Sequence, residues 1–235
     1  INSDGGIGIL ANGGIVNNTG YFEINSKNSR GIVNNGGKVE ISKGDFIVNG
    51  NNSIGILNKG NNVISSEDVF IISGNNSVGI YNTTGTTNVT NTPTINGELG
   101  ATGIYGASGS VKATTDGIKI NIDDSAVPST SEKRGIGVYA KGAGTLVDLS
   151  NANTKIIVNQ GGAGIYSTDS GVVKISNGLL DYNGSGYALY TDKSGTVDAS
   201  SSTINLGGMV DTHTPASYWI IANDSKGLIT KKENK

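Results

Sequence analysis

The 235-residue sequence has no cysteine, which excludes a disulfide framework, a thiolate metal site and a cysteine nucleophile. Its one histidine, His213, cannot build a two-histidine zinc motif or a histidine cage. Proline is scarce at 3 residues, and Met and Trp occur once each. No apolar run approaches the ~18 residues of a membrane span, so this segment is not expected to insert into a membrane. Lys and Arg number 17 against 19 Asp and Glu, a net charge of -2, which argues against a nucleic-acid surface. No G-x-x-x-x-G-K-S/T stretch offers a phosphate loop, and no cofactor is expected.

What is abundant points to strands. Glycine contributes 37 residues, and Ile and Val together contribute 45 against 10 Leu. β-Branched side chains suit a pleated surface and lose rotamer freedom in a helix. The composition therefore predicts strands and turns with almost no helix.

A repeat organises these residues. Glycine followed by a β-branched residue recurs at Gly8-Ile9, Gly31-Ile32, Gly55-Ile56, Gly79-Ile80, Gly103-Ile104, Gly137-Val138 and Gly164-Ile165, with a weaker copy at Ala188-Leu189. The steps are 23, 24, 24, 24, 34, 27 and 24 residues. Asn28, Asn52 and Asn76 keep the same step, as do Asn34, Asn58 and Asn82. Each copy holds three short apolar runs parted by Gly, Asn or Ser, too short for helices. A leucine-rich repeat would need more leucine, and a propeller blade would need ~40 residues.

The fold expected is all-β: a right-handed parallel β-helix, about 24 residues and three short strands per coil. Eight coils would make a rod of roughly 40 Å. The Ile column would point inward, and stacked Asn would hydrogen-bond from coil to coil. Residues 1–206 are assigned to the coils. The long step places a surface insertion near 121–134. Residues 207–235 are read as an irregular final coil or junction with a polar tail. Because the sequence opens on Ile within a repeat, it is expected to be a piece of a longer protein.

The recurring GIYN, GIYG, GVYA and GIYS segments, the Asn/Gly/Ser corners and the lack of cysteine resemble the passenger regions of large type V autotransporter adhesins, those of fusobacteria above all. The resemblance covers residues 5–206. It implies a β-helix on a bacterial cell surface, anchored at the outer membrane or secreted. The implied role is adhesion to a host cell-surface protein, a glycan or other bacteria. It also implies a membrane barrel elsewhere in the full chain and carries over no catalytic residue. The segment itself is expected to be monomeric.

Two groups of residues are candidates for binding. The first is the insertion, with Asp123, Asp124, Ser131, Glu132, Lys133 and Arg134, because solenoids place binding contacts on insertions. The Asp pair could also attract calcium, but no GGxGxD array or EF-hand loop is present, so a solvated acidic loop is the favoured reading and no metal site is assigned. The second is a column that follows the inward Ile: Tyr81, Tyr105, Tyr139, Tyr166 and Tyr190, preceded by Leu10, Val33 and Leu57. If strand alternation persists, the rings face outward; if the chain bends, they fill a corner. The apolar identity of all eight positions favours burial.

Catalysis has little support. His213 has Asp211 and Ser217 nearby, yet no G-x-S-x-G elbow accompanies them. An extracellular β-helix polysaccharide lyase or hydrolase remains an alternative. It would need two carboxyls ~5–9.5 Å apart across a bond, and no pair is evident in the repeat. A pure spacer stalk is a further alternative. Ice binding is disfavoured because Thr does not recur with the period.

Overall fold

The computed structural model of the chain describes residues 1–42, 44–65, 69–126, 134–184, 186–207, 220–222 and 228–230. Among them there is no helix, and every pairing between strands is parallel. The chain winds through three sheets in turn, so each sheet takes every third strand. The first sheet runs from Ile7–Asn12 through Arg30–Asn35, Ile54–Asn58, Val78–Asn82, Thr102–Gly106, Ile136–Lys141, Ala163–Thr168 and Tyr187–Thr191 to Ile220–Ala222. The second begins at Ile15–Asn18 and ends at Leu228–Thr230; the third begins at Phe22–Ile24 and ends at Thr203–Leu206. The protein is thus a β-solenoid of about eight turns, each near 24 residues.

The register superimposes like residues. Ile9, Ile32, Ile56, Ile80, Ile104, Val138, Ile165 and Leu189 are successive partners in the first sheet. From Ile32 onward all are completely buried in one continuous apolar interior. A single coil has no closed core of its own, so burial comes from the coil above and the coil below. In the third sheet, Phe22, Phe46 and Phe70 stack inside the rod with centroids 5.0 and 4.7 Å apart and planes within 5°. Ile95, Ile120, Ile156 and Leu180 continue that column, all buried.

The glycine before each inward Ile is required by contact rather than by dihedral. A Cβ on Gly103 would stand 2.7 Å from the Gly137 carbonyl oxygen of the next coil and 2.7 Å from Ile120 Cγ2. On Gly31 it would meet the Gly55 oxygen at 2.6 Å, with the Phe46 ring at 3.3 Å. The third-sheet column packs into the space these glycines leave. Dihedral freedom matters instead at the corners, where Asn28, Asn52 and Asn76 adopt φ of 58, 54 and 55°. Among L-residues, Asn tolerates that left-handed region comparatively well.

Polar residues that point inward are satisfied by their counterparts. Asn34 Nδ2 donates to Asn58 Oδ1 at 3.0 Å, and Asn58 Nδ2 to Asn82 Oδ1 at 2.7 Å. Asn82 Nδ2 donates to the Ser108 carbonyl at 2.7 Å. The Ser29 and Ser53 backbone N–H groups donate to Ser53 Oγ and Ser77 Oγ, both at 3.0 Å. All these side chains are fully buried. Repetition with the period lets each amide be donor to one neighbour and acceptor from the other, so burial leaves the ladder paired.

The long step between Gly103 and Gly137 falls between strands Lys119–Asp123 and Ile136–Lys141. The same connection is only residues 99–101 one coil earlier and 160–162 one coil later. The extra residues therefore belong to the connection from the third sheet to the first. Strands Ile220–Ala222 and Leu228–Thr230 pair with Tyr187–Thr191 and Thr196–Asp198, adding to the first two sheets beyond the eighth turn. His213, Asp211 and Ser217 lie outside the described residues.

Candidate functional site

The tyrosine column stands on the outer face of the first sheet. Alternation is kept along each strand: Ile80 and Asn82 are completely buried while Tyr81 between them is half-buried. The same holds for Tyr105, Tyr139, Tyr166 and Tyr190, each following a buried inward residue. The burial favoured on composition is thus corrected: the rings are not in the core. They cover one another. Stacking at one strand spacing hides ring faces, so an outward aromatic column presents as an apolar position. Val33 and Leu57 below them are also covered, yet neither belongs to the interior cluster.

Ring geometry changes along the column. Tyr81 and Tyr105 are parallel, with centroids 4.5 Å apart and planes at 10°. Tyr105–Tyr139 and Tyr139–Tyr166 follow at 4.7 and 4.9 Å with tilts of 32 and 31°. Tyr166 and Tyr190 meet edge to face at 84° and 4.9 Å. Tyr187, 39% exposed, packs on Tyr190 at 4.8 Å. At the lower end parallel stacking covers the ring faces.

Charged groups fringe the upper end. Tyr166 donates its hydroxyl to Asp192 Oδ2 at 3.1 Å. Asp169 stands between Lys141 and Lys193, 3.9 and 3.8 Å away. Such half-exposed pairs contribute little to stability, but they give the column a polar border of both signs. Burial pushes the phenols of Tyr81, Tyr105, Tyr139 and Tyr166 upward. Tyr166 reaches about 12, with the Asp192 carboxylate adding to the burial effect. These four phenols therefore stay protonated at neutral and mildly alkaline pH.

The insertion is held at its base by groups that were expected to bind from it. Asp124 is completely buried, not part of a solvated loop. Its Oδ1 accepts from the Gly100 N–H at 3.0 Å, and its Oδ2 accepts a short hydrogen bond from the Gly135 N–H. Its own N–H donates to the Asn159 carbonyl at 3.0 Å. One carboxylate thus closes the neck of the insertion and ties it to the coil below. Arg134 Nη1 donates to the Gln160 carbonyl at 3.0 Å, tying the far end to the coil above. Asp123 is exposed, with Oδ1 receiving the Ser125 N–H at 3.0 Å. The two aspartates therefore do not form one binding pair. Ser131, Glu132 and Lys133 lie outside the described residues.

A carboxylate neighbour of Asp123 escaped the sequence reading. Glu98 is its register partner one coil below. Together with Asn96, Asn121 and the 40%-exposed Ile71 they line a shallow groove of about 230 Å³ on the third sheet. Asn121 Nδ2 donates to Asn96 Oδ1 at 2.8 Å beside them. The signal was present, since Glu98 and Asp123 are one period apart. Both carboxylates stand in one column of a single sheet, one strand step apart, whereas glycoside hydrolysis needs them flanking the bond. Among the described residues no group of three or more metal-ligating side chains is assembled.

Comparison with family models, with curated proteins and with solved structures finds no match to this chain. The functional reading therefore rests on the residues and their geometry.

Proposed function

We propose that the chain is a segment of a bacterial cell-surface adhesin of the autotransporter passenger type. In this reading a rigid β-solenoid carries a recognition face toward a host protein, a host glycan or another bacterium. The observation that carries the proposal is the outward tyrosine column of the first sheet. Partly covered tyrosines supply large, rigid contact area with little rotamer entropy to lose, and their hydroxyls add directional hydrogen bonds. The mixed Lys and Asp border favours orientation of the partner over indiscriminate charge attraction. The resemblance of the GIYN-type segments to adhesin passengers supports the same reading.

The test is attachment of beads coated with the chain to epithelial cells, to other bacteria and to a glycan array. The chain is expected to bind at least one of these. Tyr139→Ser with Tyr166→Ser should reduce that binding by at least about tenfold, the effect of losing two central contacts of ~1 kcal/mol or more each. Deleting residues 127–132 measures the insertion separately. Binding unchanged by the tyrosine substitutions would overturn the column as the recognition face. No attachment to any surface would make the rod a spacer.

A further inference from the structure

Stacked phenols carry chemistry that a binding role does not use. We propose that the tyrosine column is a site of oxidative cross-linking, at which a peroxidase-type one-electron oxidant with hydrogen peroxide joins tyrosines of neighbouring coils. The inference stands whether or not the column binds a partner.

The bonds balance as follows. Each of two phenols loses its hydroxyl hydrogen, as one electron to the oxidant and one proton to a base. The two tyrosyls couple through the ring carbons beside the hydroxyls, forming one carbon–carbon bond. The hydrogens displaced from those carbons move to the oxygens and restore both phenols. Hydrogen peroxide accepts the two electrons and two protons and leaves as two waters.

Three features place this chemistry at the column. First, Tyr81, Tyr105, Tyr139, Tyr166 and Tyr190 hold successive ring centroids 4.5, 4.7, 4.9 and 4.9 Å apart. A tyrosyl formed on any of them has a partner ring already beside it, which replaces a slow bimolecular encounter by an intramolecular one. Second, the rings are half-buried on the outer face of the sheet, so the column is open to an oxidant from solvent. Third, Tyr166 donates its hydroxyl to Asp192 Oδ2 at 3.1 Å, so a base stands ready for its proton as the electron leaves. Its neutral phenol, with a pKa raised to about 12, needs such a base at physiological pH.

The protein supplies its own controls. Tyr21 is 58% exposed and Tyr182 is buried in the core, and neither is stacked on another described ring. Tyr182 instead donates its hydroxyl to the Gly161 carbonyl at 3.0 Å. Access alone would select Tyr21; access with a neighbouring ring selects the column.

The chain is treated with horseradish peroxidase and hydrogen peroxide, dityrosine fluorescence is followed, and tryptic peptides are analysed by mass spectrometry. Tyr105, Tyr139, Tyr166 and Tyr190 fall in four different tryptic peptides, and fragmentation of each linked pair assigns the tyrosine where a peptide holds more than one, as with Tyr81 beside Tyr105 and Tyr182 and Tyr187 beside Tyr190. Links of Tyr105 to Tyr139, Tyr139 to Tyr166 and Tyr166 to Tyr190 are expected within single chains, with a yield per chain independent of protein concentration. Tyr139→Phe keeps the ring and the fold, and should lose the first two links while keeping the third. Asp192→Asn should slow the Tyr166 links and spare the one between Tyr105 and Tyr139. Links confined to pairs of chains, Tyr21 in the products as often as the column, or Asp192→Asn without effect on rate would overturn the proposal.

Discussion

Phe46→Ala is expected to cost about 3–5 kcal/mol, the range for truncating a fully buried phenylalanine. Phe46 has no exposed surface and sits between Phe22 and Phe70, so truncation removes both ring contacts as well as the buried area. The space cannot close by collapse, because strand pairing fixes the coils above and below at about 4.8 Å. In a chain of this length the loss corresponds to a fall of about 10 °C in Tm. Each turn rests only on its neighbours, so the deficit should appear first in the lower coils, as a separate early transition in hydrogen exchange. Thermal unfolding followed by circular dichroism measures the total. Phe46→Leu, which keeps most of the volume, should cost less than half as much. A Phe46→Ala protein within 1 kcal/mol of wild type would mean that the phenylalanine stack does not hold these coils.

Asn58→Asp, an isosteric change, should destabilise the rod by about 4 kcal/mol at pH 7, from a carboxyl pKa raised by about three units on burial. Asn58 Nδ2 donates to the Gly60 carbonyl at 2.9 Å, Asn82 Oδ1 at 2.7 Å and Thr87 Oγ1 at 3.0 Å. A carboxylate oxygen in that place donates nothing and faces the oxygens of Gly60 and Asn82. Removing a buried charge from water without a counter-ion raises the carboxyl pKa in the folded state. The sign follows from linkage: the folded pKa lies above the unfolded one, so the penalty is absent below the unfolded value near 4. It grows as pH rises through the interval between the two. Urea unfolding at pH 4 and pH 7 reads the difference directly. Equal destabilisation at both pH values would contradict the inward placement of the amide column.

These two residues also show what the sequence makes legible and what it hides. The step of 24 residues carries the winding, because side chains one period apart must superimpose; the Ile column and the Asn column follow from it. The glycine at Gly103 was legible as part of the repeat, but the contacts that require it, at the Gly137 oxygen and Ile120, appear only once the next coil and the third sheet are located. The tyrosine column was legible as a column but not in its direction. An outward ring covered on its faces by equal rings keeps an apolar identity at its position, which mimics a core. The aspartates of the insertion were misjudged for a different reason. Asp123 and Asp124 are adjacent in sequence and on a strand end, so one faces solvent while the other turns inward to two backbone N–H groups. Composition marks both as loop acids; only the neck of the insertion distinguishes them. Glu98 escaped notice because its partner is one turn away rather than next to it.

The proposed recognition face belongs to the first sheet. Its inner face spends Gly, Ile and Asn on holding the coils together. Its outer face is therefore free to vary, and it carries aliphatic residues at Leu10, Val33 and Leu57 and aromatic ones from Tyr81 upward. A rod that needs only neighbour contacts can change its outer columns without loss of the core, which is how a solenoid acquires a recognition face.

The absence of native cysteine allows the winding itself to be measured. Glu40 and Asp198 belong to one column of the second sheet, six strand steps apart through residues 63, 88, 112, 148 and 174. Asp148 is four steps from Glu40 in the same column. Cysteines at positions 40 and 148, and at 40 and 198, can carry nitroxide spin labels for pulsed electron–electron distance measurement. At one strand spacing per coil the backbone separations are about 19 and 29 Å, so the second pair should be longer by about 10 Å, each with a narrow distribution. Equal distances for the two pairs, or a broad distribution for either, would contradict a chain that turns once per repeat about one axis.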